Sequence, residues 1–433
     1  MVLCKPDPRE LVGKAGTGAV LSLDAIGMQD TYLTGTEDSF FQFKGQRHTP
    51  LTKYSAARVF ENPGSTGWPF GQTIKFQMNP RTMGDLLANM YLKIKVPPGN
   101  YCSKYLGWAM INSLEFRVDS QVIETIKGDW NIVYSQLHYL VEEQRALDQL
   151  FQGGRIYIPL NFFFNRRHGT QDTGNPLIHD SYFKPYFLTC AAYGNKEITV
   201  SITFNPSTFF TSDGVCTLDS VTLVTEEFVI SEIEKAYLVG ARQSQVISCV
   251  GNNPVTTASS SPFNVNLTPN VPVKTLHWFF RDTRYENAGD PTFYQDRYNF
   301  SSNVLSRDTE TMSPIVGETL LYLNGQQILG LSKPTSVTTR GDGSYYYKFA
   351  QPLNHYLTVP QKNIYTYSFC LRPKDPAPSG AVNFSQLDSD TTKLTGSFYQ
   401  GAPPGTYSIN VFYTGYHEIT YDQGFVSLKY AGS

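Results

Sequence analysis

The chain has 433 residues, enough for two large β domains with sizeable cores, and its 35 Lys and Arg against 37 Asp and Glu leave a net charge of -2. That balance offers no basic excess for neutralising phosphates, which argues against a nucleic-acid-binding surface. Charged residues make up 17% against a usual ~25%, while 28 Tyr and 28 Phe lift the aromatic share to 14%, a profile that fits pleated strands and large contact areas.

The first 24 residues lack periodicity and read as a flexible arm carrying Lys5, Arg9 and Lys14. The opening MVLCKPDPRE has Pro and charges where a secretory leader needs an apolar run, and no later stretch approaches the ~20 apolar residues of a membrane span. The expectation is a soluble chain made in the cytosol. Within the arm, GKAGTG (13–18) resembles a phosphate loop only superficially. Its Lys is misplaced, no strand precedes it and no helix pattern follows.

Short alternating runs then dominate: TIKFQM from Thr73, MYLKIKV from Met90, SLEFRV from Ser113, EITVSITF from Glu197 and YSINVFY from Tyr407. Apolar side chains at period two, punctuated by Gly, Pro, Asn and Asp, predict an antiparallel sandwich. GDWNIVYSQLHYLVEEQRALDQLF breaks the pattern. Trp130, Val133, Tyr134, Leu137, Leu140 and Val141 recur at three and four, and Asp129 is placed to cap, so a helix carried in a loop is expected. NRRH (165–168) is a basic cluster that reads either as a phosphate or acidic-loop contact or as a solvated strand end. Asn205 to Asp219 is the candidate linker, and the polar loops 251–261, 333–343 and 374–380 separate strands rather than domains.

The two halves echo each other. VDSQVI (118–123) and LNGQQI (323–328) both read as hairpins, with turns at Asp119-Ser120 and Asn324-Gly325. Pro159 and Pro360 each precede an aromatic-rich strand, and GNKEITVSI and GTYSINVF each read as a closing strand. All three landmarks recur at a spacing of ~200 residues, which predicts a duplicated β domain.

Catalytic chemistry finds little footing. The histidines at 48, 138, 168, 179, 277, 355 and 417 show no metal-ligand spacing, and the six scattered cysteines include no Cys-x-x-Cys pair. Glu226 and Glu227 are neighbours on a strand and face opposite sides, so they cannot form one acid/base pair, and Glu142-Glu143 reads as a solvated helix face. No catalytic, cofactor-binding or metal residue is assigned. Asn266, Asn299 and Asn383 stand in glycosylation sequons, but Asn383 reads better as a turn residue whose amide holds backbone.

PSGAVNFSQLD (378–388) resembles a motif of the major capsid proteins of nucleocytoplasmic large DNA viruses, with Gln386 standing where that family usually has Arg. GMQDTYLTG (27–35) with SFFQFKGQRHT (39–49) looks like the first strand of the family's first jelly roll. GDLLANMYLKIKVP (84–97), INSLEFRVDSQVIETIKGDWNIVYSQL (111–137), IPLNFFFNRRHG (158–169), PVKTLHWFFRD, LYLNGQQIL, YTYSFCLRP and INVFYTGYHEITYDQGFVSLKYA follow in the family's order. The motif positions are Asp30, Gly84, Asp85, Pro159, Asn324, Gly325, Asn383, Phe384, Ser385 and Asp388.

The resemblance implies an all-β chain of two tandem eight-stranded jelly rolls with short helices in loops, divided as an arm (1–24), a first domain (25–212) and a second (213–433). It further implies a non-enzymatic virion capsid subunit without cofactors, assembled in host cytoplasm. Its partners would be itself as a homotrimer with a pseudo-hexagonal outline, neighbouring capsomers, and minor capsid proteins beneath the shell reached through the arm, with no specific nucleic acid and no membrane span. Two alternatives stand beside it: a less abundant paralogous capsid component, and a carbohydrate-binding or carbohydrate-cleaving double β-sandwich. The second requires a groove with clustered carboxylates and exposed Trp, whereas Trp68, Trp108, Trp130 and Trp278 each sit in or beside apolar runs.

Overall fold

The computed structural model describes residues 51–102, 104–151, 154–166, 185–287, 289–302, 314–328, 342–374, 378–399, 402 and 404–429. The first strands are β1 (Leu51–Glu61), β2 (Thr73–Met78), β3 (Leu86–Lys95), β4 (Ile111–Val118) and β5 (Gln121–Lys127). After the helices α1 (Gly128–His138) and α2 (Val141–Leu150) come β6 (Arg155–Pro159), β7 (Ile198–Phe204) and β8 (Ser220–Ile230). They form two four-stranded antiparallel sheets, ordered β1-β8-β3-β6 and β2-β7-β4-β5. Successive strands mostly change sheet, and this is the jelly-roll path.

Helix α3 (Glu232–Gly240) leads to the second unit: β9 (Gln243–Asn252), β10 (Thr256–Ala258), β11 (Phe263–Asn266), β12 (Pro272–Asp282), β13 (Val316–Leu323) and β14 (Gln326–Gln327). A helical segment, residues 342–354, precedes β15 (Ile364–Ser368), β16 (Val382–Asn383), β17 (Lys393–Phe398), β18 (Tyr407–Asp422) and β19 (Phe425–Leu428). The sheets run β10-β18-β12-β15 and β11-β17-β13-β14, with β9 and β19 added along β18 and β16 along β12. Strand for strand this repeats the first unit, so the duplication is written in the hydrogen bonding.

The expected hairpin turns are where the sequence put them. Asp119 (φ 49) joins β4 to β5, and Asn324 (φ 46) with Gly325 (φ 77) joins β13 to β14, the left-handed pair that a two-residue hairpin needs. The third landmark pair is corrected: Ile198 lies in β7, which pairs with β2 and β4, whereas Ile409 lies in β18, which pairs with β12 and β10. The true counterpart of β7 is β17. The expected division after residue 212 is corrected as well, because β8 pairs with β1 over its whole length and closes the first sandwich. The crossover is α3, capped by the Ser231 side chain accepting from Glu234 N, and Asn205 to Asp219 merely joins β7 to β8. The expected first strand over 27–49 lies outside the described residues.

The single predicted helix is two. Tyr139 and Leu140 are extended, so the path breaks between α1 and α2, and the Glu143 carboxylate accepts from Leu140 N at 3.0 Å. Asp129 does not occupy the cap position, which falls to Lys127. From Gly128 to Leu137 every residue of helix α1 except Asp129 is buried. A low-moment, almost wholly buried helix is a wedge rather than an amphipathic surface helix.

Strand β12 shows what the wedge is for. It is buried at every residue after Pro272, with Leu276, Trp278 and Phe280 in the core of the second sandwich and Phe279 in the core of the first. Both faces are covered, so its polar residues Lys274, Thr275, His277 and Arg281 are buried along with the aromatic ones and need partners there. Gly128 sets how closely α1 seats: a Cβ there would stand 2.0 Å from Ile111 O. Gly128→Ala is therefore expected to destabilise the chain by about 1–3 kcal/mol through overpacking. Gly240→Ala, where nothing lies within 4 Å of the added carbon, is expected to be neutral or stabilising by up to ~1 kcal/mol. Chemical denaturation of the two variants side by side checks this.

Candidate functional site

The seam between the two sandwiches is where buried polar chemistry gathers. Trp130 of α1 packs on His277 and Phe412, ring centroids 5.6 and 5.8 Å apart, on the outward face of the β12-β18 pair. The Gln136 side-chain oxygen accepts from Gln361 N and Lys362 N at 2.9 and 3.3 Å, and Leu137 O accepts from Thr358 N at 2.8 Å. The wedge is thus pinned along its length to the strand approach of the second sandwich.

Three arginines complete the seam. Arg281 donates to both Asp129 oxygens, at 3.2 and 2.8 Å, and pairs with Glu286 at 2.9 Å. Burial alone would pull its guanidinium down, but the two carboxylates hold it well above its ordinary value. Arg166 forms a buried ion pair with Glu124 and donates to Asn161 O and Ser248 O at 2.9 Å each, the latter on β9 of the second sandwich. Among the described residues Arg297 has no acidic partner at hydrogen-bond distance. It donates instead to five backbone carbonyls, Thr208, Phe209, Tyr285, Asn287 and Asp290, at 2.7–3.3 Å, and burial lowers it to about 10. Its fork stitches the β7–β8 loop of the first sandwich to the loop after β12.

His277 is fully buried between Thr275 and Thr366, whose hydroxyls stand 2.9 and 2.8 Å from its two ring nitrogens. Burial, with a smaller contribution from Lys274, pushes it down to about 3, so the folded chain holds it neutral.

The motif residues fall into two groups. Gly84 N donates to Glu227 at 2.6 Å, and a Cβ at Gly84 would come within 2.9 Å of the Glu227 Cβ. Asp85 accepts from Ile230 N at 3.1 Å and pairs with Lys235 at 2.9 Å, fastening the end of β8 to α3 where the chain crosses over. In the second group Asn383 accepts from Ser385 N and the Ser385 hydroxyl at 3.1 and 2.7 Å, and Phe384 is buried against Phe369. Asp388 N donates to the Asn324 side chain at 2.8 Å and Gly325 N to Thr391 O at 3.0 Å, so the β13–β14 turn is tied to the loop before β17. Hydrogen bonds from the Thr391 hydroxyl and Asp390 N hold the Asp388 carboxyl below the usual range. Pro159 ends β6 opposite Tyr91, apart from both groups. Asp30, Lys5, Arg9 and Lys14 lie outside the described residues.

Sequence reasoning missed the seam. NRRH reads as a phosphate or acidic-loop contact or as a solvated strand end, and Arg166 does meet an acidic side chain, though Glu124 stands on strand β5 rather than on a loop and the pair is buried, the Arg166 side chain being 3% exposed. The one available signal was position, since Arg166 and Arg281 each follow an unbroken aromatic run, FFFN and HWFF. Glu226 and Glu227 serve separate networks, Glu226 with Lys53 and Asn89, Glu227 with Tyr54, Arg58 and Thr225. All four Trp are buried, 3% or less exposed, which removes the aromatic platform that the carbohydrate reading requires.

Two family models cover the chain in succession: "Major capsid protein N-terminus" matches residues 39–222 and "Large eukaryotic DNA virus major capsid protein" matches 226–402. The chain belongs to this family of major capsid proteins. The major capsid protein of Paramecium bursaria Chlorella virus 1 is 27% identical over 402 residues, covering 87% of each chain. That of Pyramimonas orientalis virus is 24% identical over 459 residues, covering 96% of this chain and 99% of the relative. Among solved structures, a PBCV-1 capsid chain matches with a TM-score of 0.70 at 17% identity, covering 91% of this chain and all of that one. The Faustovirus major capsid protein matches at 0.64 and 11% identity, covering 92% and 94%. The double jelly roll is common to them all, and the family is structural rather than enzymatic.

For a major capsid protein the seam residues set integrity. Glu124→Gln leaves Arg166 buried without its counter-charge and is expected to cost about 3–5 kcal/mol, while Glu124→Leu with Arg166→Met together should cost much less. Denaturation of the single and double variants checks the coupling. The His277 effect has a definite sign. Because its folded pKa of about 3 lies below the unfolded ~6.5, its contribution is complete above pH 6.5 and lost as pH falls toward 3. Between pH 6.5 and 4.5 that amounts to about 2.3 kcal/mol. His277→Gln is expected to flatten the acid limb of the stability curve by that amount.

Proposed function

We propose that the chain forms a homotrimer whose six jelly rolls give a pseudo-hexagonal block, and that such blocks tile the faces of an icosahedral shell assembled in host cytoplasm. The observation that carries this reading is the repeat of one strand order in two sandwiches fixed to each other by the doubly covered β12-β18 sheet. A rigid pair of like units, taken three times around an axis, places six similar corners in a ring. A closed ring of head-to-tail contacts is the general route to such symmetry. The arm residues Lys5, Arg9 and Lys14 are assigned to contacts with minor capsid proteins beneath the shell, since a terminal stretch without apolar periodicity suits a partner surface more than a core.

Exposure bears on decoration. Asn299 is 3% exposed and holds Tyr285 and Ser301, so among the sequons only Asn266 and Asn383 present side chains at the surface. Native mass spectrometry of the purified chain is expected to give the mass of three chains. A chain lacking residues 1–24 should still give the mass of three of its own chains but fail to enter shells. A monomer at micromolar concentration would remove the trimer, and full incorporation of the shortened chain would remove the role of the arm.

A further inference from the structure

The two units repeat each other, but their contacts are satisfied unequally. In the first, the insertion between β5 and β6 is α1, and its residues Trp130, Tyr134 and His138, spaced by four, line the seam beside Lys274 and Thr414 of β12 and β18. In the second, the insertion at the same point of the path, between β14 and β15, is the helical segment 342–354. It buries Tyr347, Lys348, Gln351 and Pro352 against its own sandwich and turns Tyr345, Phe349 and Leu353, again spaced by four, outward. Even the ring contact recurs: Tyr134 stacks on His138 at 4.7 Å and Tyr345 on Phe349 at 5.9 Å. Leu353 is 69% exposed and Phe349 37%.

The receiving face is unequal in the complementary sense. Where His277 faces Phe412 across β12 and β18, Tyr91 faces Val224 across β3 and β8, with Tyr157 of β6 5.8 Å from Tyr91. His277 and Phe412 are covered by α1, whereas Tyr91, Tyr157, Thr222 and Phe228 remain partly exposed on an outward sheet face fringed by Lys93 and Lys95. One knob and one face are thus matched inside the chain, while among the described residues Phe349, Leu353 and the second face stay at least partly exposed on opposite units.

We infer that Phe349 and Leu353 of one copy dock on the β3-β8-β6 face of a second copy, around Tyr91 and Tyr157, repeating between chains the contact that α1 makes within one. The knob and the face are different surfaces, so the contact is head-to-tail and closes on itself when three chains have supplied six units. The inference rests on the trimer reading and gives it a surface and a polarity.

The test is native mass spectrometry of full-length variants. Phe349→Ser with Leu353→Arg removes the knob, and Tyr157→Lys loads the face with charge. Thr222→Arg, on the same face opposite Lys93, serves where Tyr157→Lys does not fold. Each variant should be monomeric with wild-type circular dichroism, assembly requiring about 100-fold more protein or worse. Mixed one to one, knob-less and face-charged chains keep a single good contact and should give the mass of two chains, never three. Wild-type trimers with either variant still trimeric would overturn this contact and leave the trimer standing. A mixture that stays monomeric would overturn the head-to-tail polarity. A monomeric wild type would overturn the trimer reading itself and this contact with it.

Discussion

A sheet covered on both faces cannot move without uncovering one of them, and that constraint on β12 and β18 organises the molecule. Trp278 and Phe280 belong to one core while Phe279 and Phe412 belong to the other, and none is more than 3% exposed. Separating the sandwiches would bring Phe279 and Phe412 back to water at about 1.5–3 kcal/mol each before any hydrogen bond is counted. The two jelly rolls therefore behave as one body, and a tile with fixed corners follows from packing rather than from a stiff linker.

The ions in the seam do a different job. Burying Arg281, Arg166 and Arg297 adds little net stability over apolar substitutes, because desolvation offsets most of the attraction. Each is nevertheless satisfied only in the observed register: Arg281 needs Asp129 across the seam, Arg166 needs Glu124 and Ser248 O, and Arg297 needs carbonyls from both units. A slip of the sandwiches would orphan buried charge at a cost of about 3–5 kcal/mol per site. The guanidinium's planar, five-donor fork suits such sites, and a lysine's single point of charge would not reach five carbonyls.

This division explains what was legible in the sequence. Alternation revealed the strands, and left-handed turn residues at Asp119 and Asn324-Gly325 revealed matching hairpins, since both signals are local. Strand partnership is not local: β7 and β18 carry the same alternating pattern, so Ile198 and Ile409 looked equivalent although they sit in different sheets. The boundary after residue 212 failed for the same reason, because only pairing with β1 assigns β8 to the first unit. Polar residues beside apolar runs carry no label for what meets them. Asp129 looked like a helix cap and Arg166 like a solvated end or a phosphate or acidic-loop contact, whereas Asp129 is answered by Arg281, 152 positions away, and Arg166 by Glu124 and Ser248 O, 42 and 82 positions away.

The comparison of β3 with β12 carries the last step. They occupy the same place in the two sandwiches, yet burial alternates along the second half of LLANMYLKIK, with Lys93 and Lys95 outward, while every residue of TLHWFF is buried, polar Thr275 and His277 included. A face closed during folding of its own chain never has to be soluble, so it can become core. A face that waits for a partner must stay dissolved in the meantime, and partly polar composition is the usual result for surfaces that associate after folding. On the proposed contact between copies, the two strands differ in when each face meets its cover, and the exposed positions kept on β3 but closed on β12 follow from that difference in timing.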